Sequence, residues 1–178
     1  MYVNESWKRV RNCNASGASR AAAIAVCCAA LLGPFGIAEA TPSAGFASTT
    51  IGPTDFGELD VKGHLEGRLK VTIRTQGRAD VYVVTNSVVP GGYSGWHTHP
   101  GPSLVTVKSG TATYYDGDDA TCTPHVLVQG EGFVDPGDGH VHMIRNESAD
   151  ALELVAFQII PQGATRRIDV AAPGNCPF

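Results

Sequence analysis

The chain has 178 residues, of which 43% are hydrophobic and 17% charged, a composition that suits one ordinary globular domain with a sizeable core. Its formal charge is −4. That sign is wrong for a nucleic-acid binder, which needs a basic surface to neutralise phosphates.

In chain order, Lys8, Arg9, Arg11 and Arg20 precede an apolar stretch over residues 21–37 that ends in Ala38-Glu39-Ala40. A basic region, a hydrophobic region and a small-x-small boundary form the pattern of a secretory signal peptide cut after Ala40. The expected location is therefore secreted or periplasmic. Gly33, Pro34 and Gly36 interrupt the apolar run, which argues against a permanent membrane span and leaves none after processing. Cys27 and Cys28 lack the upstream small residue and leucine of a lipoprotein anchor. Residues 41–178 then carry 9 basic and 15 acidic groups, once Lys8, Arg9, Arg11, Arg20, Glu5 and Glu39 are removed, for a formal −6.

Residues 41–48 are rich in Ala, Ser, Thr, Gly and Pro and read as a flexible leader to a domain over 49–178. From there the pattern is short strands punctuated by turn residues, with no helical period sustained over three turns. Strands are predicted at 69–74, 81–88, 95–99, 104–108, 111–115, 125–128, 132–134, 140–145, 152–160 and 166–170. The turns between them hold glycine or proline, as in Pro90-Gly91-Gly92, Lys108-Ser109-Gly110, Gln129-Gly130, Pro136-Gly137-Asp138-Gly139 and Pro161-Gln162-Gly163, where positive φ or a break in the sheet is needed. Such spacing predicts an all-β sandwich or barrel. Asp116-Gly117-Asp118-Asp119 has the carboxylates of a calcium loop but not the twelfth-position glutamate or flanking helices of an EF-hand, and reads as a solvated hairpin tip. Cys122 and Cys176 are the two cysteines left after processing. In an oxidising compartment they are expected to form a disulfide between the tail and the loop after Tyr115.

The chemistry concentrates in two histidine pairs. His97 and His99 lie at the i, i+2 spacing of one strand face, and His140 and His142 repeat that spacing. Neutral imidazole is a common metal ligand, so a metal site is the first hypothesis. Tyr93, Trp96, Phe133, Met143 and Phe157 are candidates for an apolar cavity wall, though each also suits ordinary core.

Read in register, Gly91, His97, His99 and Gly110 resemble the first signature motif of the cupin superfamily, and Gly130, Pro136, His142 and Asn146 resemble the second. The resemblance covers roughly residues 65–160. It implies a small all-β jelly-roll barrel with His97, His99 and His142 facing inward around a divalent transition metal, whether iron, zinc, manganese or copper. Two departures stand out: the family's glutamate ligand falls on Ser103, and one extra residue lies between Pro136 and His142. His142 is preferred as the third ligand because three residues separate it from Asn146, the spacing of the second motif. His140 shares its parity and stays open as a fourth ligand or a strand cap at the cavity mouth. Assigned to the motif, Asn146 is read as structural rather than as the glycosylation acceptor of Asn146-Glu147-Ser148.

Three imidazoles with no carboxylate leave two or three coordination positions open. One reading is an oxygen-dependent, dioxygenase-like metalloenzyme acting on a small chelating or anionic substrate. The other is a non-catalytic binder of a small molecule or sugar, in which the metal anchors the ligand or the fold. No catalytic acid or base is assigned. Asp138, His140 and Glu147 are the candidates near the motifs, and a homodimer remains an admissible assembly.

Overall fold

The computed structural model describes residues 39–178, so the segment read as a signal peptide lies almost entirely outside the described residues. Ten strands follow: β1 (Ala44–Leu65), β2 (Leu69–Tyr93), β3 (His97–Thr98), β4 (Ser103–Ser109), β5 (Thr111–Asp116), β6 (His125–Val128), β7 (Gly132–Asp135), β8 (His142–Arg145), β9 (Leu152–Pro161) and β10 (Ile168–Asp169). All pairings are antiparallel, and they fall into two runs, β1-β2-β9-β4-β7 and β10-β3-β8-β5-β6. The runs join where Tyr93 at the end of β2 pairs Arg145 of β8. This is an all-β jelly roll. Among the described residues no helix is long and apolar enough to cross a membrane.

The core follows from the period of two. Val105 and Val107 of β4 face Ala156 and Leu154 of β9, and these in turn face Val84 and Asn86 of β2. With Val88, Ala112, Ile144 and Leu152 the apolar members form one buried cluster between the runs, while alternate residues such as Leu104 and Thr106 face outward. Burial of this kind contributes about 25 cal/mol per Å² of apolar surface. Towards one end the inward row changes character: Ser103 and Gln158 are opposed on β4 and β9 and both are buried. The functional cavity lies at that end.

Three expectations are corrected. The predicted leader at 41–48 is not free, because Ala44 to Ser48 are strand and pair with Tyr93, Val88, Ser87 and Asn86 of β2. Its Ser, Thr and Ala side chains are too small to show an alternating pattern, so pairing rather than periodicity makes it a strand. The strands predicted at 69–74 and 81–88 are one continuous β2. Pro90-Gly91-Gly92, expected as a turn, is absorbed into β2 as an irregularity: Phe46 pairs Val88 and Ala44 pairs Tyr93, so four β2 residues oppose Gly45 alone. Such a bulge bends a strand, and here the Gly91 amide and the Gly92 carbonyl switch to Asn146 beside β8.

A second buried cluster, Trp96, Tyr115 and Met143, packs on the outer side of β5 and β8 with Tyr93, Val141 and Val170. The expected disulfide closes over it. Cys122 and Cys176 are bonded, 54 residues apart in sequence. Asn175 reinforces the tail by donating to the carbonyls of Asp116 and Asp119 at 2.9 and 2.7 Å. Opening a loop of this length is expected to lower stability by up to about 4 kcal/mol in the chain-entropy model. Urea unfolding of a Cys122→Ser/Cys176→Ser variant against the oxidised protein measures that loss.

Candidate metal centre

His97 and His142 are opposed across β3 and β8, which places two motifs 45 positions apart in direct contact. Their ring centroids are 4.3 Å apart, and His99 stands 5.0 Å from His97 and 5.6 Å from His142. One nitrogen of each ring lies within 4.8 Å of the others. All three residues are buried.

The hydrogen bonds decide which nitrogen is offered. His97 Nδ1 sits 2.9 Å from the Gly95 carbonyl, and His99 Nδ1 sits 2.6 Å from the Arg166 carbonyl. A carbonyl oxygen can only accept, so each Nδ1 carries the hydrogen and each Nε2 keeps its lone pair. His142 Nδ1 has no hydrogen-bond partner, and Asp135 Oδ1 stands 3.8 Å away, beyond hydrogen-bond reach. Burial, with the neighbouring imidazoles and Arg167 adding to it, pushes His97 well below the usual histidine range and His142 down to about 3. Burial lowers His99 too, against the pull of the Arg166 carbonyl and Asp135. All three rings are neutral at pH 7, the form a metal requires.

His140 is not part of this cluster of rings. It is half-buried, with Nδ1 3.1 Å from Asp135 and Nε2 3.2 Å from Asp116. Burial would lower its pKa, but the hydrogen bonds and charges of Asp116 and Asp135 outweigh it and raise the value. Both nitrogens are engaged by carboxylates, so His140 braces Asp135 behind His142.

A cavity of about 40 Å³ adjoins the three rings, lined on its inner side by Val84, Val105, Phe133, Ile144, Leu154 and Ala156. Of the five proposed wall residues only Phe133 lies there. Trp96, Met143 and Tyr93 belong to the outer cluster and Phe157 is exposed on the outer sheet face, because one step of register carries a side chain to the opposite face. Glu147 is engaged by Tyr115 and Arg145, and neither it nor Asp138 lines the cavity. Ser103 occupies the position expected from the motif, where its hydroxyl accepts a 2.9 Å hydrogen bond from Gln158 Nε2. Arg166 Nη1 donates to Gln158 Oε1 at 3.0 Å. A hydrogen-bonded chain from the Arg166 guanidinium through Gln158 to Ser103, with no negative charge, stands where a carboxylate was expected.

Arg166 and Arg167 both line the cavity, and sequence reasoning missed them. Adjacent strand residues alternate faces, so two consecutive inward arginines have no periodic signature; here they precede β10 in irregular backbone. Arg167 pairs with Asp169 at 2.7 Å and donates to the Ser94 carbonyl. Gln158, Asp135 and Phe46 were missed as well. Gly137 packs against Gly101. Its φ is +73°, and a Cβ there would stand 2.4 Å from the Gly101 carbonyl carbon, so the loops before β4 and after β7 meet only at glycine.

Residues 84–158 match the family model of the cupin domain. Those residues form a cupin domain. No curated protein matches it. Among solved structures, this cupin is similar to a conserved protein with a double-stranded β-helix domain from Klebsiella pneumoniae, at 25% identity and a TM-score of 0.43, over 51% of this chain and 75% of that one. It is also similar to an oxalate oxidase in complex with glycolate, at 23% identity and 0.44, over 51% and 46%. A third is a salicylate 1,2-dioxygenase from Pseudoaminobacter salicylatoxidans, at 15% and 0.38, over 44% and 20%. This chain spans less than half of either enzyme, and at such scores nothing about substrate or activity passes from them.

The donor set of this cupin fits a metal ion: three neutral, convergent imidazoles, two of them held by backbone carbonyls. Replacing His97, His99 or His142 by alanine is expected to lower metal content strongly, while His64→Ala on β1 and His125→Ala on β6, both exposed, leave it unchanged. Elemental analysis after dialysis against each divalent metal reads the pattern. For the metal-free protein, the sign of the pH dependence follows from the depressed histidines. The unfolded chain takes up protons near pH 6.5 that the folded state refuses until far lower, so stability is full above about 6.5 and falls as pH drops. His140 acts oppositely, stabilising below its unfolded value and losing that contribution as pH rises through its raised one. Three groups outweigh one. Calorimetry in chelator is expected to show Tm falling between pH 7 and 4.5, with a shallower slope for His142→Asn.

Proposed function

We propose that this protein is an exported metal-dependent cupin that binds a small anionic, chelating molecule at the three-histidine centre and turns it over in an oxygen-dependent, dioxygenase-like reaction. One observation carries the reading: the cavity is lined by three neutral imidazoles and two arginines and by no carboxylate. A divalent ion there would have no protein carboxylate among its ligands, which favours a ligand that brings negative charge of its own. The metal would provide a Lewis-acidic centre with open positions for ligand and dioxygen.

The chain's own residues do the rest. His97 and His99 would hold the ion through Nε2, with His142 as the third imidazole. The guanidinium groups of Arg166 and Arg167 favour a carboxylate, enolate or phenolate, since planar charged donors match planar anions. Burial, with the charge of Arg167 adding to it, lowers the Arg166 pKa, and a bound anion would offset both. Ser103 and Gln158 leave the fourth protein-ligand position neutral. Phe46, Phe133 and Ile144 exclude water from one side. Among the described residues that line the cavity, no carboxylate or unengaged imidazole is placed as a general base, which suits a substrate that binds already ionised.

The Cys122–Cys176 disulfide supports the second reading, a non-catalytic binder. It fits an oxidising compartment, where ferrous iron is harder to maintain and zinc, manganese or copper gains weight. Oxygen uptake by metal-loaded protein with catechols, diketones, thiols and hydroxy acids, beside titration calorimetry with the same compounds, separates the two. Uptake with one class establishes the enzyme, and binding without uptake selects the binder. In either case Arg166→Gln is expected to weaken an anionic ligand by about 10- to 100-fold, the size of one charge-assisted hydrogen bond. Ser103→Glu is expected to keep or tighten the metal while weakening the anion.

A further inference from the structure

The β1–β2 hairpin extends well past the barrel. Pairing between β2 and β9 ends at Ala79 with Pro161, and beyond it the two strands pair only with each other up to Leu65 with Leu69. An isolated two-stranded ribbon is marginal in water. This one is also amphipathic. Val61 opposes Ile73, Gly63 opposes Val71 and Leu65 opposes Leu69, so one face is apolar; Asp60, Lys62, His64, Lys70, Thr72 and Arg74 form the other. The apolar face is open, with Val61 52%, Leu65 57%, Leu69 58%, Val71 40% and Ile73 37% exposed.

A matching surface lies on the outer face of the barrel. Ile51 pairs Val83, Val83 pairs Phe157, Phe157 pairs Leu104 and Leu104 pairs Val134, a single apolar row across five strands. Its members Ile51, Phe157, Leu104 and Val134 are 69, 40, 51 and 64% exposed. Between row and arm runs a groove of about 540 Å³, walled by Val71 and Ile73 on one side and by Pro102, Leu104, Phe157 and Ile159 on the other. Scattered exposed apolar residues need no explanation, but a contiguous apolar surface of this kind marks an interaction site.

We propose that a second copy of this chain fills the groove, each copy laying the apolar face of its arm against the outer row of the other. Both halves of the contact are on one chain, so a two-fold arrangement satisfies both arms at once and closes. The area suffices. An arm about ten residues long and two strands wide presents roughly 320 Å² on one face, and two arms each covering an equal area of the partner bury roughly 1,300 Å², within the range of stable interfaces. The charged arm face mixes both signs and stays in water.

The full chain is expected to sediment at twice its 18.6 kDa mass. Leu69→Lys on the arm and Leu104→Glu in the row change residues already exposed in the single copy, so both variants should keep the far-ultraviolet circular dichroism and metal content of the native protein while sedimenting as single chains. Lys62→Ser on the charged face should remain a dimer. Mixing the Leu69→Lys and Leu104→Glu proteins should restore dimers in equal proportion, because one contact then pairs lysine with glutamate and the other is native. A monomeric full chain overturns the proposal, leaving the chain's own first 38 residues or another protein as the cover. A dimer untouched by both substitutions overturns it equally, since the interface then lies elsewhere. Metal content reads the histidine centre independently of either result.

Discussion

The candidate site depends on one cross-strand pairing, His97 opposite His142 in β3 and β8. Two strands this short hold little energy of their own, so the barrel walls must set their position. Tyr93 and Arg145 pair at the junction of the two strand runs, the Ser94 amide donates to the Ile144 carbonyl, and the Ser94 hydroxyl accepts from the Ile144 amide. Asn146, fully buried, donates to the carbonyls of Val88 and Asp150 at 2.9 and 2.8 Å. These contacts fix the end of β8 against β2, and His142 follows from them. Asn146 is therefore a backbone clamp, and its buried amide has no room to serve as a glycan acceptor.

Electrostatics give the cavity its character. Buried imidazoles resist protonation because a charge in a dry interior is costly, and here three of them adjoin two guanidinium groups. Every charged neighbour of the same sign lowers the histidines further. The arrangement holds positive potential and electron pairs side by side, which is poor for a proton and good for a metal and an anion together. Asp135 is the compensating group. Wholly buried, it takes the Gly137 amide and His140 on Oδ1 and stands behind His142, so negative charge reaches the site through a ring and not as a ligand.

The barrel and the arm obey different constraints. Inside the barrel every apolar row meets another row, and alternation is sufficient to say what is buried. On the arm the same alternation leaves a face with nothing opposite it among the described residues. A period of two reports that a face wants cover, but it does not report what covers it.

Alternating strands, glycine turns and the two histidine motifs were legible in the linear order of residues, because backbone geometry repeats every two positions and the ligand spacings are local. The all-β class, the three rings and the pairing of Cys122 with Cys176 could be read at that level. Four features could not. The first half of β1 was invisible because its Ser, Thr and Ala residues carry no hydrophobic rhythm, and β2 supplies the edge that makes it a strand, while the alternation of Val61 and Leu65 with Asp60, Lys62 and His64 was present but missed. Arg166 and Arg167 enter the cavity from irregular backbone, where no periodicity assigns a face. The Arg166–Gln158–Ser103 hydrogen-bond chain joins three segments, so Ser103 alone looked like a missing ligand. His140 and His142 share one parity, and only the folded positions of Asp116 and Asp135 turn one into a brace and leave the other facing the metal. The sequence by itself determined which side chains carry the chemistry, since spacing along a strand is a property of the chain. The tertiary structure decided which of them meet and at what charge, since burial and distance exist only once the strands have packed.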